Sequence, residues 1–321
     1  MTQQPIRRIL VTGAAGQIGS ELTMALRQKY GAQNVLATDI NPKPSADLLE
    51  TGPYELISIL DPDSLAHIAY RYDIDAIFHL AAILSATAEG NPDFAWNVNI
   101  NGLKNVLDIA RQKKMSRVIV PSSIAVFGPS TPKENAPQDT VLRPSTMYGV
   151  TKAAGELLCD YYCMKYDLDV RGIRYPGLIS WKTEPGGGTT DYAVSIFYSA
   201  VKGEPFSCFV KPETVLPMMY MPDAVKAMLQ LAEADGQTLT HRNAYNLAAF
   251  SFSARELEET IRRHIPGLSV TYDPDYHQAI ADGWPSTIDD SAARHDWGWQ
   301  PDYDLDAMTR DMIENLRRKL G

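Results

Sequence analysis

Cysteine is scarce in this 321-residue chain, which has only Cys159, Cys163 and Cys208. So small and odd a number excludes a disulfide framework and points to a reducing compartment, the cytoplasm. Long apolar runs are missing as well. None approaches the roughly 20 residues of a membrane span, so no membrane partner is expected. Positive charge does not prevail: 30 lysines and arginines face 39 acids, a formal net charge of −9. That balance argues against a nucleic-acid partner, because such binders are basic. Internal repeats and low-complexity tracts are absent. The stretch up to Arg8 is short and polar and runs into strand-like residues, which leaves no room for a signal peptide. What remains, 45% apolar and 21% charged, is an ordinary globular composition, long enough for one large domain or two smaller ones.

The first half alternates strand and helix signals. Strands are expected at Ile9 to Val11, Asn34 to Thr38, Tyr54 to Ile59, Asp75 to Leu80, Arg117 to Pro121 and Val170 to Tyr175. Between them, helical spacing marks Ser20 to Tyr30, a helix opened by Asp61 as N-cap and Pro62, and long helices at Pro92 to Gln112 and Tyr148 to Tyr166. Six strands separated by helices predict an α/β fold, a doubly wound parallel sheet. The second half is less regular. Helices are expected at Asp191 to Lys202, Pro222 to Ala234, Ala254 to His264 and Leu305 to Lys319, with short strands near Tyr245 to Leu247 and Ser269 to Tyr272. Pro185 to Gly188 must be a loop.

Thr12-Gly13-Ala14-Ala15-Gly16-Gln17-Ile18-Gly19 lies between the first strand and the first helix. Glycines there permit a tight turn and close backbone approach to a pyrophosphate, while the helix N-terminus offers N–H donors. Asp39 follows 20 residues after Gly19, at the end of the second strand. A carboxylate at that place binds the ribose hydroxyls of an adenosine and repels a 2′-phosphate, so NAD is favoured over NADP.

Tyr148 and Lys152 are four apart and share a helix face. A lysine beside a tyrosine favours the phenolate, a general base usable near neutral pH. Ser122-Ser123 ends the fifth strand, at the carboxyl edge where such sheets bind ligands. A serine hydroxyl there holds a substrate oxygen while tyrosine takes its proton.

Together these motifs resemble the extended branch of the short-chain dehydrogenase/reductase family. The likeness also rests on His79 to Ala82, Asn99 to Gly102, Ser122 to Gly128 and Arg174 to Gly177. It implies a Rossmann domain with a smaller substrate cap, and Ser123, Tyr148 and Lys152 as catalytic residues, Lys152 also gripping the nicotinamide ribose. It assigns Gly13, Gly16, Gln17, Ile18, Gly19, Asp39, Ile40, Leu80, Ala81, Ala82, Asn99, Tyr175 and Leu178 to the cofactor. The family's acidic adenine contact after the third strand falls here on Ser58, followed by Ile59. The resemblance further implies a homodimer built on the helices after Pro92 and Tyr148.

The reaction class follows from details. Ile124-Ala125 after Ser123 lacks the acidic pair of sugar dehydratases, and Pro176-Gly177-Leu178 lacks the diphosphate-binding asparagine of nucleotide-sugar epimerases. Leu84 to Ala86, Arg174 to Ser180, Gly186 to Tyr192, Trp284-Pro285 and Trp297 to Trp299 instead resemble the short-chain L-threonine 3-dehydrogenases. That likeness implies oxidation of the 3-hydroxyl of L-threonine. Ser85, Thr189 and Thr190 are candidates for the carboxylate, Asp191 or a carbonyl for the ammonium, and Trp284 is a further substrate-binding candidate beside Ser123 and Tyr148. The alternatives are a nucleotide-sugar 4-epimerase and a non-catalytic NAD-sensing binder. Cys159 and Cys163 have no further ligand in pattern, so no metal is expected. Trp297, Trp299, Met218, Met219, Met221 and His79 are read as packing or structural residues. The expected domains interleave: residues 1–177 with about 220–249 for the nucleotide, 178–219 with about 250–321 for the cap.

Overall fold

Ile9, Leu10 and Val11 have no exposed surface. Each contributes about 1.5–3 kcal/mol by leaving water, and they form the centre of strand β1 (Ile9–Thr12). In this computed structural model, residues 5–321 are described. The first four residues of the expected nucleotide domain and of the expected N-terminal stretch lie outside them.

β1 sits between β2 (Val35–Asp39) and, after β3 (Tyr54–Leu56), β4 (Ala76–His79), with all pairings parallel. β5 (Arg117–Ser123) and β6 (Val170–Tyr175) continue the sheet beyond β4. The fold is therefore α/β, with a Rossmann-type sheet. Sequence order reverses between β1 and β4, which opens a crevice at the carboxyl edge. Apolar clusters fill both faces of the sheet, which explains why its strands read as unbroken apolar runs.

Three short strands then leave this sheet. β7 (Gly177–Ile179) pairs in parallel with β9 (Val215–Tyr220), and β8 (Phe206–Cys208) lies apart. β10 (Tyr245–Asn246) returns to the main sheet as a seventh strand beside β6. β11 (Phe250–Ser253) runs antiparallel to β9, and β12 (Val270–Tyr272) parallel to β8. A third cluster, containing Phe197, Phe252, Leu257, Met308 and Met312, packs under these small sheets.

Two expectations need correction. The third strand stops at Leu56 rather than Ile59, because Ser58 starts a turn in which its carbonyl accepts from Asp61 N at 3.1 Å. The long helix from Pro92 is not uniform: a wide turn over Asn97–Gly102 separates Pro92–Trp96 from Leu103–Lys113. A wide helical turn of this kind re-aims side chains, and here Asn99 is buried and bonded to Ile83.

Candidate active site

A cleft of about 220 Å³ opens at the carboxyl edge of β1, β4, β5 and β6. Gly13, Gly16, Gln17, Ile18 and Gly19 form one end of its wall. Gly13 has φ +70°, and a Cβ on it would stand 2.6 Å from Ala81 N. A Cβ on Gly19 would stand 2.1 Å from Gly13 O. Only glycine fits either place. The helix that follows, Gln17–Tyr30, has Gly16 as N-cap, with no side-chain cap and no acid in its first turn. Such an N-terminus suits an anionic pyrophosphate.

Asp39, at the end of β2, accepts a hydrogen bond from Ala15 N at 2.9 Å and another from Asn41 N at 3.0 Å. Its carboxylate is thereby locked beside the glycine turn. Ile40 is exposed. The Ser58 hydroxyl accepts from Leu60 N, whereas Ile59 is buried against Gly102. Leu80 and Ala82 line the cleft, and Ala81 backs the glycine turn. Asn99 lies behind the wall, where its amide accepts from Ile83 N and donates to Ile83 O and the Thr151 hydroxyl. It ties the loop after β4 to the helix Met147–Tyr166.

That helix starts at Thr146, whose hydroxyl accepts from Gly149 N at 3.1 Å. The cap sets Tyr148 and Lys152 along the cleft, facing Ser123 at the end of β5. Burial pushes the Tyr148 phenol up to about 12, and the Ser123 hydroxyl opposes that rise. Lys152 Nζ donates to Pro121 O at 2.9 Å, and burial lowers its ammonium to about 8. For the phenol, burial is the larger influence and the Ser123 hydroxyl the neighbour that opposes it.

Tyr175 and Leu178 line the cleft, the Tyr175 hydroxyl donating to Ala224 O at 2.5 Å. Ser85, Thr189, Thr190, Asp191 and Trp284 complete the wall. Thr189 Oγ1 is buried with no hydrogen-bond partner among the described residues. Asp191 accepts from Gly187 N and Gly188 N, both at 2.7 Å, which folds the glycine loop back on itself.

Sequence reasoning missed a buried ion pair behind the site. Arg174 donates to both Glu156 oxygens, at 2.9 and 2.8 Å, and Ser122 donates to Glu156 at 2.5 Å. The signal was present: Glu156 lies one turn beyond Lys152 on the same helix. His79, buried, bonds the Thr12 hydroxyl through Nδ1 at 2.8 Å and joins β1 to β4, as a structural residue would. Trp299 is fully buried.

The model of the NAD dependent epimerase/dehydratase family matches residues 9–248. An uncharacterized epimerase/dehydratase of Staphylococcus saprophyticus is 49% identical over 315 residues, 98% of each chain. Among solved structures, an L-threonine dehydrogenase from Clostridium difficile aligns with TM-score 0.96 at 49% identity, covering 98% of this chain and 99% of that one. The holo form of a GalE-like L-threonine dehydrogenase from Cupriavidus necator aligns with TM-score 0.94 at 50% identity, covering 96% and 99%.

Proposed function

The chain belongs to the NAD dependent epimerase/dehydratase family, in the extended branch of the short-chain dehydrogenases/reductases, and from that premise we propose that it oxidises the 3-hydroxyl of L-threonine to 2-amino-3-oxobutanoate, with NAD as acceptor. The observation that carries this reading is the donor set of the cleft. Ser85, Thr189 and Thr190 offer hydroxyls, Asp191 a carboxylate, and Lys152 is the sole basic side chain among the described residues of the wall. A sugar-nucleotide diphosphate calls for basic partners. A small zwitterion is matched by hydroxyls, backbone groups and one acid. The unpartnered Thr189 hydroxyl is such a donor.

The glycine turn and the first helix hold the pyrophosphate, and Asp39 the adenosine ribose. Pro121 O takes one of the three Lys152 donors, and the other two suit the nicotinamide ribose hydroxyls. NAD, when bound, supplies the acceptor for the hydride that leaves carbon 3. Ser123 holds the 3-hydroxyl against Tyr148, and Tyr148 Oη takes its proton. Trp284, with Asp191 and the glycine loop, keeps water from the reacting carbon. The nucleotide domain, up to residue 177 with about 220–249, and the cap, 178–219 with about 250–321, meet along this cleft.

A homodimer belongs to the same reading. Val150, Leu157, Tyr161 and Met164 are exposed at helical spacing on Met147–Tyr166, with Phe94 and Trp96 exposed on the helix from Pro92. Leu157→Glu with Met164→Glu is expected to halve the mass measured by light scattering. An unchanged mass would refute pairing through this face.

The deciding experiment mixes the purified protein with NAD and L-threonine and follows absorbance of the reduced cofactor. Threonine-dependent NADH supports the proposal. Its absence, or interconversion of UDP-glucose and UDP-galactose instead, overturns it.

A further inference from the structure

Trp284 lines the cleft and is held from behind by a residue that does not line it, Lys133. The indole is nearly buried, 8% exposed. It follows the short helix Tyr276–Ala281, whose end is a tight turn: Gly283 N donates to Ile280 O and Trp284 N to Ala281 O. Asp282 is the C-cap of this helix and Trp284 lies just beyond it, so neither carbonyl is taken up within the helix. Lys133 meets both. Its ammonium donates to Asp282 O and, at 2.9 Å, to Trp284 O. A cation at the negative end of a helix is also favourable in itself.

The lysine is held in turn. Lys133 O accepts from Ser286 N at 2.7 Å and from the Ser286 hydroxyl at 2.8 Å, and Asn135 N donates to the Thr287 hydroxyl at 2.6 Å. Ala136 and Ile288 form a parallel bridge beyond. The segment after β5, which leads from Ser123 to the Tyr148 helix, is thereby stapled to the segment that carries Trp284.

We propose that Lys133 is a positioning residue for the substrate cleft, acting through Trp284: its ammonium sets where the indole stands relative to Ser123 and Tyr148. The kinetic part rests on the threonine reading above; the spectroscopic part does not.

Lys133→Met keeps the stem and removes the donors. Compared with the parent, and with a Trp284→Phe background to isolate the indole, its tryptophan emission is expected to shift to the red. KM for L-threonine is expected to rise about tenfold, the equivalent of roughly 1.4 kcal/mol, with KM for NAD and kcat unchanged. Lys133→Arg, which restores charge and donors, is expected to recover most of both. Unchanged emission and KM in Lys133→Met would overturn the proposal. So would equal losses in kcat and both KM values without recovery in Lys133→Arg, the mark of a plain strut. If the parent turns over no threonine, the function fails, and the emission shift and its recovery in Lys133→Arg still decide the role of Lys133.

Discussion

Lys152 stands one helical turn from Tyr148, yet its ammonium donates to Pro121 O at 2.9 Å and lies 5.6 Å from the centre of the phenol ring. The group that opposes the upward shift of the phenol is the Ser123 hydroxyl. The two halves of the expected acid–base pair are therefore held by different groups. Lys152 is pinned to the backbone of β5, and Tyr148 is tuned by a hydroxyl at that strand's end.

This arrangement sets the pH dependence. The phenol lies near 12, so the fraction present as phenolate rises about tenfold per pH unit across the neutral and mildly alkaline range. kcat/KM for threonine oxidation is expected to climb with pH from 7 to 9. Ser123→Ala removes the neighbour that lowers the phenol and should move that climb to higher pH, while Tyr148→Phe should abolish turnover and leave NAD binding intact. Pre-steady-state rates across that range, with a binding titration, check both. A Tyr148→Phe enzyme that still turns over would refute the acid–base assignment.

Asp39 offers a second test. Its carboxylate holds Ala15 N in the glycine turn, so Asp39→Ala removes both a charge and a backbone anchor. Dissociation constants for NAD and NADP are expected to converge, with NAD the more weakened. A retained preference for NAD would place the adenosine ribose elsewhere.

His79 is expected to govern part of the acid sensitivity. Burial, then the Lys152 charge, lower its imidazole from 6.5 to about 3, so it is neutral in the fold. The unfolded chain takes up the proton first. Stability contributed by neutral His79 is therefore intact above pH 6.5 and lost progressively as pH falls towards 3. His79→Gln should flatten this part of the denaturant midpoint against pH curve. A curve of unchanged slope would assign acid sensitivity to other groups.

The Glu156–Arg174 pair should be costly to halve. Both side chains are nearly buried, and removing one partner strands the other, at about 3–5 kcal/mol. Arg174→Met is expected to lower the urea midpoint accordingly, and more than Lys104→Met, which loses only an exposed i,i+4 pair with Asp108. Equal effects would mean that the buried carboxylate finds another partner.

The sequence by itself determined what is local. Buried strands appear as apolar runs, turns as glycines in a defined place, and the Tyr148–Lys152 relation as a spacing of one helical turn. These features depend on neighbouring residues, so periodicity and turn chemistry reveal them. They were enough for the parallel sheet, the glycine cradle and the Tyr148–Lys152 pair, whereas Ser85, Thr189, Thr190 and Trp284 were read from the resemblance to known families. Tertiary structure alone decided the rest. β7, β8, β9 and β11 form small sheets whose pairings join distant stretches of the chain. The wide turn at Asn97–Gly102 follows the pull of Asn99 on Ile83, 16 residues away. Glu156 finds Arg174 across 18 residues, and Lys133 reaches Trp284 across 151. The tuning of Tyr148 belongs here as well: a buried group's proton affinity depends on which dipoles and charges the fold brings to it, and linear spacing does not contain that information.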